Sequence, residues 1–285
     1  MKLIKPSFEI WNSTNNIEKD IERVARVCYK SENKITSNSA SLFVNGLIKR
    51  KHFAMLEHGT IYLMVTISNP EYDKIVLRYT INPYSRVLKF KNAAYITTNY
   101  RVIIENHWES DLDFVTAPKL AHDKRHTVHF ICDIGVGREF TRHRVMSMAQ
   151  ESTRYCNYSR DKFGNELTFI IPNWTLIKEG NYNKKEYYDS TYYTDYSRDF
   201  EFITACFNAE DSYLALINEG KCTAQEARVV LPLTTKSELV LTGFVDQWQH
   251  FFDLRARGTT GAPHPQAKEL AIPLMNEFIK RGIIQ

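Results

Sequence analysis

The stretch that most constrains the fold is an apolar run that opens through glycines. His126 to Ile134 (HTVHFICDI) has the composition of a strand. The overlapping run Cys132 to Phe140 (CDIGVGREF) then reads as a strand end passing through two glycines into a helix. Glycine lets the backbone turn and approach a ligand closely. The next fifteen residues, Thr141 to Tyr155 (TRHRVMSMAQESTRY), hold three arginines, one histidine, one glutamine, one glutamate and several hydroxyls. Helix N-termini and arginines are the usual means of holding phosphate. On residue types alone, this is a candidate anion site for a nucleotide.

The chain around it has 285 residues, enough for one large domain or two small ones. Apolar residues make up 43%, which supports a sizeable core. A net charge of +4, spread over 37 basic and 33 acidic side chains, does not mark a nucleic-acid binder, although local basic clusters could hold phosphate. No apolar run reaches the ~18 residues of a membrane span, and MKLIKPSFEI lacks a signal-peptide core. Cys28, Cys132, Cys156, Cys206 and Cys222 are odd in number and form no CxxC pair. That argues against a disulfide framework or zinc site, and for a reducing cytoplasm. Sixteen Tyr and sixteen Phe favour core and interface packing over flavin or base stacking for any single ring.

In chain order, Ile17, Ile21, Val24, Ala25 and Cys28 predict an amphipathic helix over 16–30, and Ser37 to Ile48 a second. Thr60 to Ile67 has a strand rhythm, so Glu57 and His58 fall at a helix-to-strand turn. Turn capping and ligand contact are equal readings there. Ser85 to Ile96 reads as a hairpin turning near Lys91-Asn92, and Thr98 or Asn99 caps a helix through Ile104. Residues 106–125 read as a polar surface connection. His126 and His129, three apart on a strand, face opposite sides and cannot easily share a metal, so none is expected. Asn157 to Glu166 reads as a loop and Leu167 to Pro172 as a short strand. The tyrosine-rich segment 180–196 reads as an exposed polar connection rather than a second domain. Phe200 to Ile217 is a long helix stopped by Gly220, and Thr223 with Glu226 forms a capping box. Leu239 to Phe244 is a strand or a helix start. Phe244 to Arg257 has helical spacing, and Ala262 to Arg281 closes the chain as a helix that Pro273 could bend.

The spacing Arg142-His143-Arg144, seven residues, Ser152, then Arg154-Tyr155 resembles the signature of flavin-dependent thymidylate synthases. Three remote segments extend the resemblance over most of residues 20 to 275. They are Glu57-His58, the Ala227-Arg228-Val-Val-Leu-Pro232 segment, and Phe251 to Arg255 followed by His264-Pro-Gln266. The resemblance implies a single mixed α/β (α+β) domain over 1–285, with a central, largely antiparallel sheet flanked by helices and a polar insertion near 180–196. It implies reductive methylation of dUMP to dTMP, with FAD as cofactor and NADPH and 5,10-methylenetetrahydrofolate as co-substrates. It also implies a homotetramer with active sites between subunits, no nucleic-acid or membrane partner, and a place in nucleotide biosynthesis in a microbe or virus.

Carried over residue by residue, Glu139, Phe140, Thr141 and Arg142 would contact dUMP, as would Gln150, Glu151, Ser152, Thr153, Arg154 and Arg228. Arg255 matches the arginine implicated in ionising the pyrimidine. FAD would be held by His52, Ala54, Glu57, Arg142, His143, Arg144, Gln150, Phe244, His250 and His264. No cysteine sits in a nucleophile context. Ser152 has no base placed beside it by the sequence and is read as an orienter rather than a nucleophile. The chain departs from the family in several places. Ala54 stands where a hydroxyl is usual, Gln150 where some members have Glu, and Glu139 where some have Gln. Ala149, Phe244 and His250 replace asparagines, and residues 257–263 lengthen a turn. Two rivals remain. One is a flavin- and nucleotide-binding relative with altered chemistry. The other is a nucleic-acid module using Arg138, Arg142, Arg144, Arg154 and Arg160, which would bind polynucleotides with steep salt dependence.

Overall fold

The computed structural model describes residues 1–160, 163–190 and 197–285. The first half contains β1 (Lys2–Ile4), β2 (Ser7–Trp11), α1 (Ile17–Tyr29), α2 (Ser39–Lys49), β3 (Thr60–Thr66), α3 (Tyr72–Thr80), β4 (Arg86–Phe90), β5 (Ala93–Asn99) and α4 (Tyr100–Glu105). Next come β6 (Arg125–Asp133), α5 (Ile134–Phe140), β7 (Ser147–Gln150), β8 (Thr168–Ile170), β9 (Gly180–Asn181) and α6 (Lys184–Ser190). The chain closes with α7 (Arg198–Asn218), α8 (Ala224–Ala227), β10 (Lys236–Phe244), α9 (Val245–Phe252) and α10 (Pro265–Lys280).

The fold is mixed α/β, with antiparallel sheets flanked by helices. Its centre is a four-stranded antiparallel sheet in the order β2-β6-β10-β7. β10 pairs with β6 from Lys236↔Asp133 to Phe244↔Arg125. Every residue from Ser237 to Phe244 is buried, because helices cover both faces. A strand covered on both sides loses its alternating pattern, which is why Leu239 to Phe244 could be read from sequence as strand or helix.

On one face, Leu239, Leu241, Val128 and Phe130 pack against Trp248, Phe251 and Phe252 of α9 and Leu274 and Phe278 of α10. On the other, Val240 and Ala149 meet Val24 and Val27 of α1. A second antiparallel sheet, β3-β5-β4, buries Ile61, Leu63, Val65 and Ile96 against Ile75 and Tyr79 of α3. A third, β8-β1-β9, pairs β1 with β8 in parallel and lies on the core that holds Phe207 and Tyr213 of α7.

Local chemistry explains the element ends. Asn16, Asn99, Asp133 and Ser197 each accept a backbone N–H from three residues on, opening α1, α4, α5 and α7. α1 ends at Lys30 in the left-handed region, and the β4–β5 hairpin turns at Lys91. α10 runs unbroken from Pro265 through Pro273 to Lys280.

Two expectations need correction, and three elements were not expected. Residues 106–125 are more than a surface connection. Glu109–Phe114 is a 3-10 turn whose Asp111 is buried, where it accepts from Arg78 Nη2 and, at 2.7 Å, from Tyr79 Oη. A carboxylate hidden by two partners looks like an ordinary surface residue in sequence. Within 180–190, three tyrosines are half-buried rather than exposed. Tyr182, Tyr187 and Tyr188 pack on the third sheet's core, and Lys184–Ser190 is helical; residues 191–196 lie outside the described residues. Finally, β1, β2 and α3 carry too few residues or too weak a pattern to be read in advance.

Candidate active site

The glycine-opened helix α5 and the C-terminal extension of α9 meet at one corner. Asp133 accepts from Val136 N at 2.7 Å and starts α5. Phe140 ends it, wedged 5.0 Å from the Phe130 ring and 4.9 Å from that of Phe251. α9 does not stop at Phe252 but continues as a π-helical turn over Asp253–Arg257, ended by Gly258 at φ 73°. A Cβ at Gly258 would lie 2.8 Å from the Gly261 carbonyl oxygen, so glycine is required there. π-turns are frequent at functional sites, and this one carries Arg255.

Arg255 is held on three sides. Its Nη1 donates to Glu139 Oε2 at 2.7 Å, its Nη2 to the Glu139 carbonyl at 2.8 Å, and its Nε to His143 Nε2 at 3.2 Å. The last bond requires a neutral imidazole with its proton on Nδ1. Burial, with help from the Arg255 and His250 charges, pushes the His143 pKa down to about 4. His250 lies with its ring 5.8 Å from that of His143. In the unfolded chain His143 would titrate near 6.5, its ordinary value. Its contribution to stability is therefore complete above about pH 6.5 and declines as pH falls towards 4. His58, pushed to about 3, and His126, pushed to about 4, act in the same direction. The urea midpoint is expected to fall between pH 7 and pH 5, and His143→Gln to flatten part of that slope. An identical slope in the variant would show that His143 titrates normally.

The second group forms where β7 ends. Gln150 Nε2 donates to Ser237 Oγ at 3.1 Å and lies against Gly137 of α5, where a Cβ would come within 2.7 Å of it. The turn after it is closed by the Ser152 carbonyl, which accepts from Tyr155 N at 3.1 Å and Cys156 N at 2.9 Å. Arg228 Nη1 reaches Thr153 Oγ1 at 3.5 Å, and Arg154 Nε donates to Gln225 Oε1 at 2.8 Å. The Thr223–Glu226 capping box sets α8 so that Gln225 and Arg228 face this turn. Both arginines remain exposed.

Beneath the turn is a charge network that sequence reading missed. Glu151 is buried; its Oε2 meets Lys236 Nζ at 2.8 Å and its Oε1 accepts from Tyr158 Oη at 3.2 Å. Lys236 also reaches Glu238, which in turn meets Lys30 of α1 at 2.7 Å and His129 at 2.8 Å. Ser152 N donates to the Cys28 carbonyl at 2.9 Å, tying the turn to the end of α1. The signal was present: Lys236 and Glu238 are charges two apart at the start of an otherwise apolar strand, and so share one face.

Some sequence-predicted residues are not brought to this corner. His52 and Ala54 are exposed on a 3-10 turn, Phe53–His58, that packs on α1, α2 and the opposite sheet face. Glu57 there accepts from Arg101 Nη1 at 2.7 Å. His58 is buried, its Nδ1 2.8 Å from Thr242 Oγ1. Phe244 is buried with the Arg86 and Arg125 guanidinium groups 5.1 and 5.6 Å from its ring centre. Thr141 Oγ1 donates to the Arg138 carbonyl. Arg142, Arg144 and His264 are exposed, and among the described residues the two arginines have no side-chain hydrogen bond or ion pair.

A family model described as "thymidylate synthase complementing protein" matches residues 123–281, more than half of the chain. The chain belongs to this family, that of the flavin-dependent thymidylate synthases. The match takes in α5, the turn after β7, Arg228 and the Arg255 corner, and leaves α1 and the β3-β5-β4 sheet before it. This family member is 27% identical over 117 residues to a flavin-dependent thymidylate synthase of Geobacter sulfurreducens. That alignment spans 41% of the chain and 41% of the relative, well short of the relative's full length. Among solved structures it is similar to a UMP/dUMP methylase, PolB, from Streptomyces cacaoi bound with 5-Br UMP. That likeness has 18% identity and a TM-score of 0.46, over 98% of this chain and 92% of the other. The same enzyme bound with 5-Br dUMP gives 17% identity and a TM-score of 0.42, over 99% and 91%. Among the described residues, no helix is long and apolar enough to cross a membrane.

Proposed function

We propose that this family member methylates dUMP to dTMP, with methylenetetrahydrofolate as carbon donor, a bound FAD and NADPH as reductant. The observation that carries the reading is Arg255, a guanidinium locked by Glu139 and a neutral His143 within the family-matched segment. A preorganised cation beside the pyrimidine stabilises negative charge developing on the ring without reorganising during the reaction. The turn of Ser152, Thr153 and Arg154, with Arg228 across from it, offers hydroxyls and two exposed guanidinium groups for the nucleotide phosphate. Glu139 to Arg142 and Gln150 would line the same nucleotide. Glu151, its carboxylate engaged by Lys236 and Tyr158, would act through its backbone. No base touches Ser152 Oγ among the described residues, in keeping with an orienting role.

The residues present suit a flavin dinucleotide. Arg142 and Arg144 are exposed cations without side-chain partners among the described residues, fitted to a pyrophosphate. His143, Gln150, His250 and His264 would complete that side, while Phe244, beside Arg125, falls with the Glu57 group. When bound, the flavin supplies the hydride that completes the methyl group. The turn that carries His52, Ala54 and Glu57 packs through Met55 on the other face of the central sheet. One cofactor touching both groups therefore calls for a second copy of the chain, which supports an oligomer with shared sites, in our reading the homotetramer. We place the enzyme in the cytoplasm, with residues 1–285 as one domain and 180–196 as an insertion.

The test is an absorbance spectrum followed by anaerobic NADPH addition, then dUMP and methylenetetrahydrofolate. A flavin spectrum bleached by NADPH, with dTMP appearing only when the folate is present, is the expected result. Purified protein that neither carries nor takes up FAD would sink the reading. Steeply salt-dependent polynucleotide binding would then favour the phosphate-binding alternative.

A further inference from the structure

Away from the Arg255 corner, a cleft of about 880 Å³ opens between the central sheet and the β3-β5-β4 sheet. Its walls come from both sides of the family match. Trp11, Arg23 and Tyr62 precede residue 123, whereas Arg125 and Thr127 follow it. The volume lies in the range of small-molecule sites.

Arg125 is the feature that points to a ligand. Its Nη1 donates to the Glu57 carbonyl at 2.9 Å and Thr60 Oγ1 at 3.2 Å, and its Nη2 to Ser147 Oγ at 2.8 Å. All three acceptors are neutral. Among the described residues no carboxylate lies within ion-pair distance of it. Burial pushes its pKa down to about 10, so the cation is held at a cost that an anion would offset. Arg23 stands over the Trp11 ring at 3.8 Å, and among the described residues its ion pair is a long 3.8 Å contact to Glu9. Glu18 and Asp20 also line the cleft, and Glu9 and Asp20 offset only part of the burial that lowers the Arg23 pKa. Thr127 Oγ1, 2.9 Å from Thr242 Oγ1, offers a hydroxyl. Tyr62 and Tyr100 supply aromatic walls.

We propose that this cleft is a second ligand site, for a phosphorylated small molecule of nucleotide size. Arg125 and Arg23 take the phosphate and the tyrosine walls take the organic body. Guanidinium forks suit phosphate better than a point charge does. Because Arg125 ties Glu57 and Thr60 to Ser147 at the start of β7, an occupant would bear on the strand that leads to Ser152.

The test uses the full chain carrying Arg228→Ala and Arg255→Ala, so that the Arg255 corner does not contribute. AMP, dTMP and inorganic phosphate are titrated by calorimetry and by tryptophan fluorescence, which reports on Trp11. At least one nucleotide is expected to bind more tightly than phosphate. Arg23→Ala should weaken it about tenfold, the loss of one charge-assisted contact. Arg125→Lys, checked for an unchanged melting temperature, should weaken it further. Four outcomes would overturn the proposal: neither nucleotide binds; phosphate binds as well as both; Arg23→Ala leaves binding unchanged; or Arg23→Ala instead changes the sedimenting mass, showing that a second copy covers the cleft. None of these bears on dTMP formation, which is measured separately in the unsubstituted enzyme.

Discussion

Arg255→Ala is expected to lower kcat for dTMP formation by about 10²–10³-fold, the usual loss for a preorganised group that meets developing charge. The guanidinium is oriented by three hydrogen bonds, and its π-turn packs on the core through Ala256 rather than through Arg255. Its loss should not unfold the chain. Glu139, the carboxylate left behind, is 38% exposed and can be solvated. Flavin content and melting temperature should therefore change little while turnover collapses. Arg255→Lys should recover only a small part, because an ammonium cannot hold Glu139 twice and His143 once. A kcat within about tenfold of the parent would remove Arg255 from the chemistry. Loss of flavin together with activity would instead make it a cofactor-positioning residue.

Lys236→Met is expected to cost about 3–5 kcal/mol of folding stability, the range for breaking a buried pair from one side. Glu151 is the reason. Its side chain is 1% exposed and would keep only the Tyr158 hydroxyl. Glu238 is better insured, retaining Lys30 and His129. Burial alone would raise the Glu238 carboxyl, but the His129 bond and the two lysine charges overcome that and hold it far below the carboxylate range. That part of the stability is present above the ordinary value of 4.5 and is lost as pH falls below it. The surviving Lys236→Met protein should also show a raised KM for dUMP, since Glu151 immediately precedes the Ser152–Arg154 turn. Adding Glu151→Gln should restore stability in part, because an amide can still accept from Tyr158 and carries no charge to bury. Chemical denaturation measures all three. A cost below about 1 kcal/mol for Lys236→Met would mean that water screens the network as it does at a surface.

How much was legible in advance follows from the range of each interaction. The helices α1, α2, α7 and α10, the β4–β5 hairpin and the capping box at Thr223 were visible because their signals are local. An amphipathic stripe, a left-handed turn residue or a Thr-x-x-Glu pair is complete within a few residues. β1, with three residues, and the buried Asp111 were not, since each is defined by partners far along the chain. The site divides in the same way. The spacing of Arg142, Ser152, Arg154, Arg228 and Arg255 could be read from residue order. Lys236, Lys30 and Arg125 could not be assigned, because a charge in sequence carries no sign of being buried.

The sequence by itself determined the family, the two glycines that open α5 and the set of arginines available to an anion. These are matters of residue identity and spacing. Only the tertiary structure decided which of those groups meet. It put Arg255 on Glu139 and His143, set Arg228 opposite Thr153, and seated the turn that carries His52, Ala54 and Glu57 on the far face of the central sheet through Met55. The physical reason is the sheet itself. Strand pairing fixes which side chains share a face, and burial against the helices on either side fixes the environment in which each charge must work.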